Sequence, residues 1–132
     1  MSLRRWSLTI AVLACLVPDL VLAQGVTRYA PLVVGWEQFF VVTSETVQGG
    51  GGARVAGYVI NKAGFKAQRI RLLVDGLDAS GQIAGQSIVW LGSPGVGPDG
   101  RAYFDVPAPT GVRHRVSVFS YNWVQSATLD AP

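Results

Sequence analysis

The sequence predicts an all-β domain, and three observations carry that prediction. Helical periodicity is nearly absent from the 132 residues. Short apolar runs alternate with Gly, Pro, Asp and Asn punctuation. Turn signals recur roughly every eight to twelve residues, the spacing of a sandwich or barrel rather than of βαβ units.

The elements follow in order. Gln38 to Thr43 is rich in β-branched and aromatic residues and extends toward Val47. Gly49 to Gly52 offers no side chains to pack and reads as a flexible connection. Arg54 to Asn61 alternates, with Val55, Gly57 and Val59 on one face and Ala56, Tyr58 and Ile60 on the other. Lys62 to Phe65 is a turn. Gln68 to Val74 is the clearest strand, pointing Ile70, Leu72 and Val74 one way and Arg69 and Arg71 the other. Asp78-Ala79-Ser80-Gly81 is a turn in which Gly81 suits a positive φ, so a hairpin into Ile83 to Leu91 is expected. Gly92 to Gly100 is a Gly/Pro loop. Ala102, Phe104 and Val106 share one side of a strand that Pro107 ends, and the last strand runs from about Val112 to Val124. About six to seven strands in this arrangement predict an immunoglobulin-like antiparallel β-sandwich.

The N-terminus reads as an export signal. Arg4 and Arg5 form a basic start, Trp6 to Val17 is uncharged and too short for a span of roughly 20 helical residues, and Pro18 breaks it. Val21-Leu22-Ala23 then predicts cleavage between Ala23 and Gln24. The organisation expected is a cleavable signal peptide over 1–23, a lead-in over 24–36 and one sandwich over 37–132, in the periplasm or secreted. Val12-Leu13-Ala14-Cys15 offers an alternative, a lipoprotein box that makes Cys15 the lipidated first residue of an outer-membrane-anchored form. An uncleaved anchor is the third reading.

Cleavage after Ala23 takes 23 of the 132 residues and leaves 109, enough to bury somewhat over roughly 60% of the unfolded surface. It also removes Cys15, the single cysteine, which excludes disulfides, thiol catalysis and cysteine metal sites from the mature form. Losing Arg4, Arg5 and Asp19 lowers the net charge from +3 to +2, and nothing in that balance argues for nucleic acid. Trp36, Trp90 and Trp123 are the large apolar side chains expected to build the core.

Gly57-Tyr58-Val59-Ile60-Asn61, then Ile70 to Asp78 followed by Gly81, and then Pro98-Asp99-Gly100 leading to Phe104-Asp105-Val106 resemble the FxLYD domain, a bacterial extracytoplasmic β-sandwich family. The resemblance covers about residues 57–118. The name-giving motif falls on Val74 to Asp78, where Asp78 alone keeps the family letter. It implies an exported sandwich accessory to another domain or partner, and no catalytic residues to carry over.

Catalytic sets are missing from the sequence. His114, the single histidine, lies between Arg113 and Arg115 and reads as a structural strand histidine; a triad with Asp105 or Asp78 lacks a nucleophile elbow, since Gly92-Ser93-Pro94-Gly95 has the wrong spacing. Asp75 and Asp78 are not followed by a calcium loop, and Asp78 is better suited to accept N–H bonds in its own turn. Gly49 to Gly52 leads into Ala53-Arg54 rather than Gly-Lys-Ser/Thr, so it is a linker and not a phosphate loop. No cofactor, metal or enzymatic activity is expected.

The last strand points to recognition. Alternation puts Val112, Val116 and Val118 on one side and Arg113, Arg115, Ser117, Phe119, Tyr121 and Trp123 on the other. With the valines in the core, Arg69, Arg71, Arg113, Arg115, Phe119, Tyr121 and Trp123 form a candidate interaction face, the side-chain types that dominate binding hot spots. The competing expectation is a bulge near Ser120 that flips the register and returns the aromatics to the core. The function expected is a non-catalytic exported module whose partner is an unknown envelope protein. The alternative is a cell-wall or carbohydrate-binding domain. Membrane contact is expected only through the signal peptide or a Cys15 lipid.

Overall fold

The computed structural model describes residues 28–125. The signal peptide, Cys15 and the Ala23–Gln24 junction lie outside the described residues. A short 3-10 turn over Trp36–Gln38 precedes six strands: β1 (Phe40–Gly49), β2 (Gly52–Asn61), β3 (Lys66–Leu77), β4 (Ile83–Trp90), β5 (Arg101–Pro107) and β6 (Arg113–Val124). They form two three-stranded antiparallel sheets, ordered β1-β2-β5 and β4-β3-β6. The chain is an all-β sandwich. Its order matches strands A, B and E packed on C′, C and F of the immunoglobulin arrangement.

The alternation read from the sequence is what fills the space between the sheets. Val55 and Val59 of β2, Ile70, Leu72 and Val74 of β3, Ala102 and Phe104 of β5, and Val116 and Val118 of β6 are all buried in one cluster. Each such side chain contributes about 1.5–3 kcal/mol on full burial. Phe40 joins them from the start of β1.

The connections differ from expectation in one place. Gly49 to Gly52 is a tight hairpin and not a loose linker: Gly49 pairs with Gly52, and Gly52 has φ +112°, which a side chain would strain. Continuous β1–β2 pairing from Phe40↔Asn61 to the tip is what closes it. The β3–β4 turn is built as predicted. Asp78 Oδ1 accepts from the Ser80 N–H (2.9 Å), the Ser80 hydroxyl (2.6 Å) and the Gln82 N–H (2.9 Å), and Gly81 takes φ +87°.

These donors, led by the Ser80 hydroxyl, hold the Asp78 carboxyl below its ordinary value. Because the folded pKa is depressed, the turn's contribution is present above the unfolded value and is lost as pH falls through the folded one. We expect NMR titration to place Asp78 below an unperturbed aspartate, and Ser80→Ala to move it back up. An unchanged value in Ser80→Ala would contradict the turn geometry.

Three connections cross between the sheets, and two of them are pinned by one buried side chain. Asn61 donates through Nδ2 to the Phe65 (2.7 Å) and Val96 (2.9 Å) carbonyls and accepts from the Ala63 N–H (2.8 Å). The β2–β3 turn and the Gly92–Gly100 loop are thereby tied to the same residue. At the opposite end, the β5–β6 connection lies across paired glycines Gly76 and Gly85: a Cβ on Gly76 would overlap the Thr110 carbonyl, and one on Gly85 would lie 3.0 Å from Thr110 N and O. The Val112 N–H bonds to the Leu77 carbonyl (2.8 Å) and holds that connection down.

Candidate functional site

The geometry of the β4-β3-β6 sheet turns on two bulges. Leu72 pairs with Val118 and Gln68 with Asn122, but between them each strand carries an extra residue. On β3 this is Arg69, exposed and left-handed at φ +52°. On β6 it falls at Phe119 and Ser120, opposite Arg71. A one-residue slip sends every later side chain to the other face.

The candidate face is therefore split. Tyr121 and Trp123 turn toward the core, against Phe40: Tyr121 meets its ring edge-on at 4.8 Å, and Trp123 stacks on it at 5.7 Å. Phe39 and Phe65 pack on Trp123 at 5.4 and 6.3 Å. Burial among these rings raises the Tyr121 phenol above its ordinary value. Strict alternation along β6 is corrected here, because period-2 counting cannot pass through a bulge.

Phe119 stays on the outer face with Arg71. It is only 6% exposed: the ring of Tyr29 meets it edge-on at 6.4 Å, and its carbonyl accepts from the Leu32 N–H at 2.8 Å. Residues 29–32 form a strap across this sheet, held also by Gln86, whose amide accepts from the Tyr29 N–H and donates to its carbonyl, both at 2.9 Å.

Under the strap, Gln86 donates to Asp75 Oδ1 at 2.8 Å, and Arg115 pairs with Asp75 Oδ2 at 2.8 Å. Asp75 is buried, so its charge is compensated on both oxygens. Arg115 is consequently closed by a partner within the chain. Arg113, exposed at the start of β6 opposite Leu77, shares the side of Arg115 two residues on, and lies at the other end of the sheet from Arg71.

Arg71 is arranged differently. Its guanidinium lies 5.1 Å from the Phe119 ring centre and 5.4 Å from that of Trp90, its pairing partner on β4. Nε donates to Ser120 Oγ at 2.8 Å. Among the described residues no carboxylate pairs with it. Two aromatic contacts and one hydrogen bond thus fix the planar fork without neutralising it. Trp90 is 63% exposed, so it is not the core residue expected; it ends the edge strand β4 and shields Arg71 from the side.

A second surface lies on the outer face of β1-β2-β5, and alternation alone did not single it out. Tyr58 and Tyr103 pair across β2 and β5 with rings 5.4 Å apart, and Arg101 lies 4.8 Å over Tyr58. The two tyrosines, with Thr43, Ser44, Glu45, Ala56 and Gly57, line a shallow depression of about 310 Å³. The available signal was Tyr103 standing opposite in phase to buried Ala102 and Phe104, on a register known only once β2 and β5 are paired.

Both ring nitrogens of His114 are engaged, Nε2 with the Pro109 carbonyl (2.8 Å) and Nδ1 with Thr46 Oγ (3.0 Å). Nε2 must then carry a proton, leaving Nδ1 to accept from the threonine hydroxyl in the neutral ring. These bonds tie β6 to β1 and to the start of the β5–β6 connection. Among the described residues no three His, Cys, Asp or Glu side chains come together as a metal site. No family model, curated protein or solved structure matches the chain.

Proposed function

We propose that the chain is a non-catalytic exported interaction module, periplasmic or secreted, that contacts an envelope protein through the Arg71–Trp90 corner of its β4-β3-β6 sheet. One observation carries the reading: a rigidly held, unpaired guanidinium beside a large exposed indole, on a face whose other arginine is already closed by Asp75. Exposed Trp next to a preorganised Arg is the composition and rigidity of a binding hot spot. The leader-like N-terminus and the FxLYD resemblance support export and an accessory role. Arg69 adds a second exposed cation near the corner, while Arg113 lies at the opposite end of the sheet and Tyr121 and Trp123 drop out of the face.

The test is capture from a crosslinked envelope fraction by the C-terminally tagged full chain, beside its Arg71→Glu/Trp90→Ala variant. A partner held by the wild type should fall at least tenfold in the variant while the thermal midpoint stays within a few degrees. Equal recovery by a folded variant would remove this corner from the interface.

The Tyr58–Tyr103 depression favours a second reading, a cell-wall or carbohydrate-binding domain. Paired rings beside Thr43, Ser44 and Glu45 offer both an apolar platform and hydroxyl partners for a sugar. Envelope glycans that shift the NMR signals of Tyr103, and fail to do so in Tyr103→Ala, would favour it over the protein partner.

A further inference from the structure

We propose that the group recognised at the Arg71–Trp90 corner is a carboxylate carried on an extended acidic segment of a partner protein; the inference rests on reading this corner as the contact surface. Charge complementarity is the first argument. The two ion pairs among the described residues close Arg54 with Asp105 and Arg115 with Asp75, and Arg71 belongs to neither. Its Nε is committed to Ser120 and its faces to Phe119 and Trp90, which leaves the terminal nitrogens as the unassigned donors. A fork presented that way matches a carboxylate bidentately, and the rotamer entropy of binding is already spent.

The second argument concerns what carries the carboxylate. The same sheet face is already covered in part by a peptide, the 29–32 strap, which reaches Gln86 and Phe119 through main-chain hydrogen bonds. Arg71 and Trp90 continue outward from Phe119, which Tyr29 of the strap covers. An extended partner segment prolongs that cover. A sugar acid, by contrast, needs hydroxyl partners beside the ring. Among the described residues the only side chain that hydrogen-bonds Arg71 is Ser120, already an acceptor for Nε, while neutral and acidic polar side chains gather instead at Tyr58–Tyr103.

The test uses the exported protein and three probes: a twelve-residue peptide alternating Glu and Ala, its Gln counterpart, and oligogalacturonate. The readout is the Trp90 indole N–H signal, assigned through Trp90→Phe. The Glu peptide should shift it saturably, the Gln peptide should bind at least tenfold more weakly, and Arg71→Gln should abolish the shift while Arg71→Lys weakens it about tenfold. Equal binding of both peptides, or a shift that survives in Arg71→Gln, overturns the carboxylate. Oligogalacturonate binding tenfold more tightly than the Glu peptide overturns the peptide carrier. Capture of a partner that needs Trp90 but not Arg71 overturns this inference alone and leaves the contact face standing.

Discussion

Gly76→Ala is expected to cost about 3 kcal/mol or more, the upper end of what overpacking does, because the added methyl meets backbone rather than a side chain that can rotate away. A Cβ at Gly76 would overlap the Thr110 carbonyl, and the residue after Thr110, Gly111, is packed as closely, since a Cβ there would lie 2.6 Å from Gly76 Cα. That connection cannot lift without breaking the Val112 N–H to Leu77 bond. A domain of this size is stable by roughly 5–15 kcal/mol in all, so Gly76→Ala should bring urea unfolding well below the wild-type midpoint. Gly64→Ala is the matched control: nothing lies within 4 Å of its Cβ position. It should be neutral or slightly stabilising. Similar midpoints for the two variants would contradict the close packing of the β5–β6 connection on the β3–β4 hairpin.

Trp123→Ala is the second large effect, expected at about 3–5 kcal/mol. Its ring stacks on buried Phe40 and takes edge contacts from Phe39 and Tyr121, so truncation opens the aromatic end of the core. Trp90→Ala, by contrast, should cost about 1 kcal/mol or less, the worth of a cation–π contact at an exposed site. Chemical denaturation of the two variants reads the difference. A Trp90→Ala protein as unstable as Trp123→Ala would return Trp90 to the core and remove the exposed corner.

Much of this was legible in the chain because a strand writes its burial in alternation. Ile70, Leu72 and Val74 predicted their face correctly, as did Val55 with Val59 and Ala102 with Phe104. Asp78 to Gly81 announced its turn through residue types that bond their own backbone. Trp90 and Trp123 look alike in sequence and both lie on edge strands; the pairing that sets Trp90 beside Arg71 on the outer face, and the bulge that turns Trp123 toward the core, separate them.

The site was half legible for the same reason. Arg71 and Phe119 were placed together correctly. Tyr121 and Trp123 left that face as the competing expectation of a bulge near Ser120 had it, whereas the matching bulge at Arg69 exists only when β3 and β6 pair. The Thr110 carbonyl over Gly76, and Asp75 held by Arg115, likewise join residues far apart in the chain. No local pattern encodes them.

The central claim is that the outer face around Trp90 meets a partner. Ile88 lies on that face two residues before Trp90, paired with Leu73, and Tyr103 lies on the outer face of the opposite sheet. The most direct measurement is photo-crosslinking in intact cells with a photoreactive phenylalanine analogue at position 88 or at position 103. A discrete protein adduct from position 88 and none from position 103 is the predicted result. An adduct from position 103 alone would contradict the account and move the contact to the Tyr58–Tyr103 depression.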